Sequence, residues 1–301
     1  MIEGENCLQE LGEQPRPNPY VVSEDISLLL SRWAGERGFN LPNKNFFEQL
    51  RNRFKGVFGQ VFSNFELVSE SELTVGMNEI VRNTGLYPIS LDRVYFRSNS
   101  ALDITRMVDT DGQDRGLGRR IDSPTILEQF RKLQSTGIKE VVVVDDVVFS
   151  GDLIRRVGDG LIRMGIEAPI ICVGIGITEG VNKLNSYGKD VRCVKQYPKV
   201  IDEICERDFY PGVPLCGRTL TGEKNLGVPY ILPFGKPGRW ASIPPEAEMP
   251  ISRFCLEQTT ELFQEIEEAS KRYVRCCDLD RGVIGLPQDE TRFLDALRLV
   301  K

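Results

Sequence analysis

The sequence predicts an α/β protein built on a doubly wound, mainly parallel sheet, and three observations carry that expectation. Short β-branched runs alternate with amphipathic segments from about residue 65 to about residue 195, the rhythm of strand–helix units feeding one parallel sheet. Four consecutive valines, 141–144, form a continuously apolar run, which suits a strand buried on both faces. The run ends in Asp145 and Asp146, so two carboxylates stand at the carboxyl end of a strand, where open α/β sheets bind ligands.

At the N-terminus, residues 7–20 carry Pro15, Pro17 and Pro19 and read as an extended, poorly ordered lead-in. Ser23, Glu24 and Asp25 are placed to cap a first helix with Ile26, Leu29, Leu30 and Trp33 on one face. A second helix is expected over 45–57 with Phe46, Phe47, Leu50 and Phe54, and the two read as a helical cap within residues 1–63. A core over 64–197 follows, with strands expected at 65–68, 93–96, 140–144, 169–177 and 191–194. Its helices are expected at 73–82, at 125–134 behind the start signal Ser123-Pro124, at 152–164 and near 181–185. Residues 198–301 change character. Pro211, Pro214, Pro233, Pro237, Pro244 and Pro245 predict an irregular, hood-like cover, then a long amphipathic helix over 251–274 and a last one near 289–300.

Composition narrows the function. With 41% hydrophobic and 27% charged residues over 301 positions, the chain reads as an ordinary globular protein with a sizeable core. A net charge of -6 argues against a nucleic-acid binder, whose affinity comes from clustered Lys and Arg. No apolar stretch reaches the length of a membrane span and the first residues are acidic, so a cytoplasmic location is expected. Eight cysteines without a C-x-x-C pair predict neither a zinc site nor a disulfide framework. The chain has no histidine, which excludes Ser-His-Asp hydrolysis, His-ligated zinc and histidine acid–base work within one chain.

After the acid pair come Val147, Val148, Phe149, Ser150, Gly151, Asp152 and Leu153, a small-residue turn opening a helix. Backbone N–H groups at such a helix start bind phosphate. The whole block, four apolar residues, two acids, two apolar residues, a variable position, Ser and Gly, closely resembles the phosphoribosyl pyrophosphate (PRPP) signature of type I phosphoribosyltransferases. That resemblance implies a sheet of the same kind and magnesium-dependent transfer of a phosphoribosyl group from PRPP to a nitrogen acceptor, with release of pyrophosphate. It implies that Asp145 and Asp146 bind the ribose hydroxyls and hold magnesium through water, and that residues Phe149, Ser150, Gly151, Asp152 and Leu153 form the 5-phosphate loop. Leu153 departs from the pattern, since family members carry Ser or Thr there, and one lost hydrogen bond to a charged group costs about 1.5–3 kcal/mol. Asp152 adds a negative charge beside the phosphate unless it points away.

Position along the chain suggests the remaining contacts. Glu70 and Ser71 stand between an early strand and a helix, where the family binds pyrophosphate. Residues 106–122 are polar and Gly-rich, where the family has a mobile loop, and Arg106, Arg115, Arg119 and Arg120 are candidates to meet the pyrophosphate charge there. Phe149 and Phe209, with Tyr210 beside it, are candidates to stack on the acceptor base; Phe149 reads equally as a ring packed under the loop, Phe209 and Tyr210 more readily as buried aromatics of a Pro/Gly turn, and Asp208 is a candidate metal neighbour. The partners implied are PRPP and a small nitrogen acceptor, with no membrane or nucleic acid and with a homodimer left open. Asp152 and Leu153 also keep open a non-catalytic PRPP or nucleotide sensor, and the proline-rich C-terminal region an interaction protein with a vestigial pocket.

Overall fold

The computed structural model describes residues 17–222 and 225–300. Most of the expected lead-in, residues 7–16, lies outside them. The N-terminal part runs β1 (Tyr20–Ser23), α1 (Ile26–Arg37), α2 (Lys44–Val61), β2 (Phe65–Val68), α3 (Glu70–Thr84) and β3 (Tyr87–Ser90). Then come β4 (Ile104–Val108), β5 (Asp114–Arg119), α4 (Ile126–Gln134), β6 (Glu140–Val148), α5 (Asp152–Arg163), β7 (Glu167–Ile177), α6 (Thr178–Ser186) and β8 (Asp190–Tyr197). The C-terminal part holds β9 (Asp202–Cys205), β10 (Arg218–Leu220), β11 (Leu226–Val228), α7 (Pro237–Trp240), α8 (Pro245–Ser270), β12 (Gly282–Val283) and α9 (Phe293–Arg298).

A four-stranded parallel sheet in the order β3-β6-β7-β8 forms the centre, and it is wound on both faces. Val142 and Val144 of β6 join the core that contains Leu73 and Met77 of α3. Val141 and Val143 join a second core with Phe130 of α4 and Ile154, Val157 and Leu161 of α5. Alternate side chains of one strand thus enter opposite cores, as a continuously apolar strand requires. Two glycines allow the close approach. A Cβ on Gly76 would meet Val194 at 2.6 Å, and one on Gly160 would meet Phe130 at 2.5 Å.

Several elements differ from expectation. β2 lies outside the central sheet, in a separate parallel sheet ordered β2-β1-β9, where Tyr20 faces Phe65 on one side and Asp202 on the other. The short strand β1 follows three prolines and has no periodic pattern of its own, yet its residues are fully buried. Tyr20 stacks on Phe62 at 3.9 Å and donates its hydroxyl to the Ala241 carbonyl at 2.7 Å. The strand expected at 93–96 is instead β3, six residues earlier, with Pro88 tolerated on an edge strand. Residues 93–96 form a turn, because the Asp92 carboxylate accepts the N–H groups of Val94, Tyr95 and Phe96 at 2.6–2.7 Å.

The segment 106–122, expected to be a mobile loop, is largely the antiparallel hairpin β4–β5, and β10 adds to β4 in parallel. Glycines permit this pairing. Gly118 leaves room for Met107 across the ladder, where a Cβ would approach to 2.8 Å. In the C-terminal region β10, β11 and β12 extend the same five-stranded sheet, so the expected irregular cover carries a wall of regular structure. α4 begins at Ile126, capped by Thr125 and Glu128 in a reciprocal box rather than at Ser123. α8 starts at Pro245, six residues before the expected start, and ends at Lys271 in a left-handed conformation. α9 is shorter than expected, because Asp289 turns the chain by accepting the Thr291 N–H at 2.9 Å. Among the described residues no helix is long and apolar enough to cross a membrane, and the described cysteines are free thiols, with Cys277 exposed.

Candidate functional site

β6 continues past its valines through Asp145, Asp146 and Val148, so both carboxylates stand at the carboxyl end of the central sheet. Asp145 is buried and accepts the Asp146 N–H at 3.1 Å. Burial, and then the charges of Asp146 and Asp92, push its carboxyl well above the usual range. Asp92, brought alongside by the turn after β3, is pushed up to about 6 by burial and by Asp146. Asp146 faces Arg207, whose Nη2 lies 3.6 Å from its Oδ2.

A cavity of about 590 Å³ opens over these acids. Its walls come from the turn after β3, the hairpin β4–β5, the head of α5, β9 with the turn beyond it, and the C-terminal sheet. Eight arginines and eight carboxylates line it. Most of the carboxylates have a fixed partner. Asp208 accepts the Gly217 N–H at 2.8 Å, Asp202 the Glu203 N–H at 2.9 Å and the Ser242 hydroxyl at 2.8 Å, and Asp114 the Gly116 N–H at 2.7 Å. A larger surface groove, about 910 Å³, lies between the end of α8 and α9, and ion pairs such as Arg292–Glu267 already occupy its charges.

The turn into α5 is held from below. Gly151 has φ 73°, and a Cβ there would press on the Gly180 carbonyl and Leu184 of α6 at 3.1 Å. Gly180 in turn lets the Phe149 carbonyl approach, since a Cβ would come within 2.3 Å of it. Asp152 does turn aside. Its carboxylate pairs with Lys183 of α6 at 2.9 Å and accepts the Ser150 hydroxyl at 3.1 Å, and these partners hold it below the usual carboxylate range. Leu153 packs with the core beneath α5, while Arg156, one turn further on, faces the cavity.

The arginines are arranged unevenly. Arg207 is tied down, its backbone N–H donating to Asp25 at 2.9 Å and its guanidinium pairing with the same carboxylate. Asp25 stands at the start of α1 but makes no cap bond there, since Arg207 takes its oxygens. Arg281 is buried and donates to the carbonyls of Cys216, Gly217 and Leu226 at 3.0–3.2 Å. Arg120 has neither a carboxylate nor a hydrogen-bonded carbonyl for its guanidinium among the described residues, and its Nε is buried without a partner. Burial, and then Arg93, Arg207 and Arg281, pull it down to about 10. Arg218 lies over the rings of Trp240 and Tyr230, 5.1 and 5.8 Å from their centres, and forms a cationic, aromatic wall.

Among the solved structures this chain resembles are phosphoribosyltransferases. The orotate phosphoribosyltransferase of Aeropyrum pernix is 19% identical, with 42% of this chain and 69% of that chain covered and a TM-score of 0.27. The adenine phosphoribosyltransferase of Thermoanaerobacter pseudethanolicus is 14% identical over 42% of this chain and 80% of that chain, with a TM-score of 0.27. A phosphoribosyltransferase from Corynebacterium diphtheriae is 12% identical over 42% and 79%, with a TM-score of 0.24. No protein-family model and no curated protein matches the chain.

Of the residues singled out in the sequence, the cavity brings together Asp145, Asp146, Phe149, Ser150, Gly151, Asp152, Leu153 and Arg106. Phe149 is 38% exposed at its edge. Phe209 is fully buried between Phe54 and Phe58, with ring centres 5.7 and 5.0 Å away, and Asp208 and Arg207 face the cavity in its place. Glu70 points to Arg51, 2.9 Å away, in a network with Glu24 and Glu206, and neither it nor Ser71 lines the cavity. Arg115 pairs with Asp109 at 2.7 Å at the base of the hairpin turn. Arg120, named with the other arginines of its segment, also lines the cavity, whereas Asp92, Glu203 and Arg281 were missed. Only Asp92-Arg93, an acid and a base close behind a strand, left a local trace in the sequence.

Asp145 and Asp146 are the residues that would hold a magnesium ion. Among the described residues no three potential ligands stand close enough to wrap an ion directly. Burial and their mutual charges push Asp145 and Asp92 up beside Asp146, and a hydrated cation would relieve that repulsion.

Proposed function

We propose that the cavity binds PRPP and that the chain transfers its phosphoribosyl group to a nitrogen acceptor, releasing pyrophosphate. One observation carries this reading: an acid pair ending a buried strand lies directly before a positive-φ glycine turn and a helix start, on the floor of an arginine-lined cavity. Asp145 and Asp146 accept the ribose hydroxyls, and their charge stabilises the ribose as its anomeric carbon becomes electron-poor. The backbone at Ser150 and Gly151 receives the 5-phosphate, and the Lys183–Asp152 pair removes the repulsion that an unpaired acid would impose there. Arg106 and Arg120, which line the cavity, meet the pyrophosphate. Asp145 and Asp146 would hold magnesium, which when bound would neutralise charge on the leaving pyrophosphate.

Purified protein with PRPP, magnesium and a panel of nucleobases is expected to release pyrophosphate, and Asp145→Asn with Asp146→Asn to abolish the release. Release undiminished in that double variant refutes the assignment. Saturable PRPP binding without release points instead to a sensor on the same pocket.

A further inference from the structure

Phosphoribosyl transfer to an N–H acceptor needs somewhere for the proton to go, and Phe149, at the edge of the cavity, cannot take it. Of the eight carboxyl groups around the cavity, Glu203 alone has neither a backbone N–H nor a cation as partner among the described residues. Its one hydrogen bond comes from the Ser23 hydroxyl, 3.1 Å from Oε1. Parallel pairing of β9 with β1 sets this contact, with Glu203 opposite Val21 in register and Ser23 two residues further along β1. Glu203 is 9% exposed, and what is exposed faces the cavity.

We propose that Glu203 is the general base of the transfer, a role that rests on the reading of the cavity as a PRPP site. The acceptor nitrogen forms its bond to the anomeric carbon with its own lone pair. The bond from that carbon to the pyrophosphate oxygen breaks, and its electron pair leaves on pyrophosphate. The proton carried by the acceptor nitrogen passes to Oε of Glu203, while Ser23 holds the carboxyl in place. No other carboxyl in the cavity is as free to accept it. Asp92 and Asp208 are held by backbone N–H groups, Asp152 by Lys183 and Asp146 by Arg207.

The surroundings keep the group near its switching point. Around it stand Asp146 of β6, Asp202 and Cys205 of its own strand, Arg207 beyond it, Tyr20 of β1 and Tyr197 of β8. Burial, and then Asp146, push its carboxyl up to about 8, so both forms are populated near neutrality.

The test uses the full chain, PRPP, magnesium and the nucleobase that releases pyrophosphate fastest. Glu203→Gln keeps an acceptor for Ser23 and is expected to lower kcat about a hundredfold or more, with the KM for PRPP unchanged. The wild-type rate is expected to rise with pH up to about 8 and then level, as a base with that pKa requires, and Glu203→Gln to flatten this limb. Glu203→Asp should recover part of the rate. Equal kcat and an unchanged pH limb in Glu203→Gln overturn the role of Glu203 alone. No release by the wild type with any base overturns the PRPP reading and the proposal with it.

Discussion

Lys183 of α6 holds Asp152 of α5 at 2.9 Å, directly beneath the turn that would receive a phosphate. An acid in the first turn of this helix is otherwise a poor neighbour for a dianion, and the pairing turns it away. Lys183→Ala is expected to weaken binding of ribose 5-phosphate about three- to tenfold at low salt, and adding Asp152→Asn to restore it. Calorimetric titration of the three proteins checks this. Equal affinities would show that the pair does not bear on the turn.

Arg120 has no ionic partner among the described residues and stands among Arg93, Arg207 and Arg281. Its value is depressed to about 10, so its charge destabilises the fold at neutral pH and is relieved only above that value. Arg120→Met is therefore expected to raise Tm by a few degrees. The same change should weaken pyrophosphate binding by about ten- to a hundredfold, the loss of a charge-assisted contact. A fall in Tm, or unaltered pyrophosphate affinity, contradicts the role given to Arg120.

Glu203 makes stability depend on pH in a definite direction. Between its unfolded value of about 4.3 and its folded value of about 8, the native protein keeps a proton that the unfolded chain has lost. Stability is then greatest at the acid end of that window and falls as pH rises through it. Asp25 and Glu206, each pushed up to about 7 mainly by burial, act in the same sense. Thermal melts from pH 5 to pH 8 should show Tm declining, with a shallower decline in Glu203→Gln. Parallel declines in the two proteins would place the Glu203 value near that of the unfolded chain.

What was legible in the sequence was local. The valine run, the acid pair and the turn into α5 specify one strand–turn–helix unit from adjacent residues, and the structure forms it over Glu140–Val148 and Asp152–Arg163. β1 was not legible, because four residues behind prolines show no period and gain their strand only by pairing with β2 and β9. The hairpin β4–β5 was obscured by its glycines, which mark loops in general but here admit a crowded ladder. β3 was misplaced because Val94, Tyr95 and Phe96 have the composition of a strand, while Asp92 binds their N–H groups and leaves none for a ladder. The same limit applied to the site. Asp145 and Asp146 came from the pattern and Arg120 from its Gly-rich segment, whereas Arg281 and Glu203 belong to the cavity through long-range packing that no spacing records.

Titration of PRPP with magnesium into the full chain, followed by calorimetry, tests most directly whether Asp145 and Asp146 form the floor of a ribose-phosphate site. Saturable binding by the wild type, lost in Asp145→Asn with Asp146→Asn, is the expected result. Absence of binding, or equal affinity in the two proteins, contradicts it.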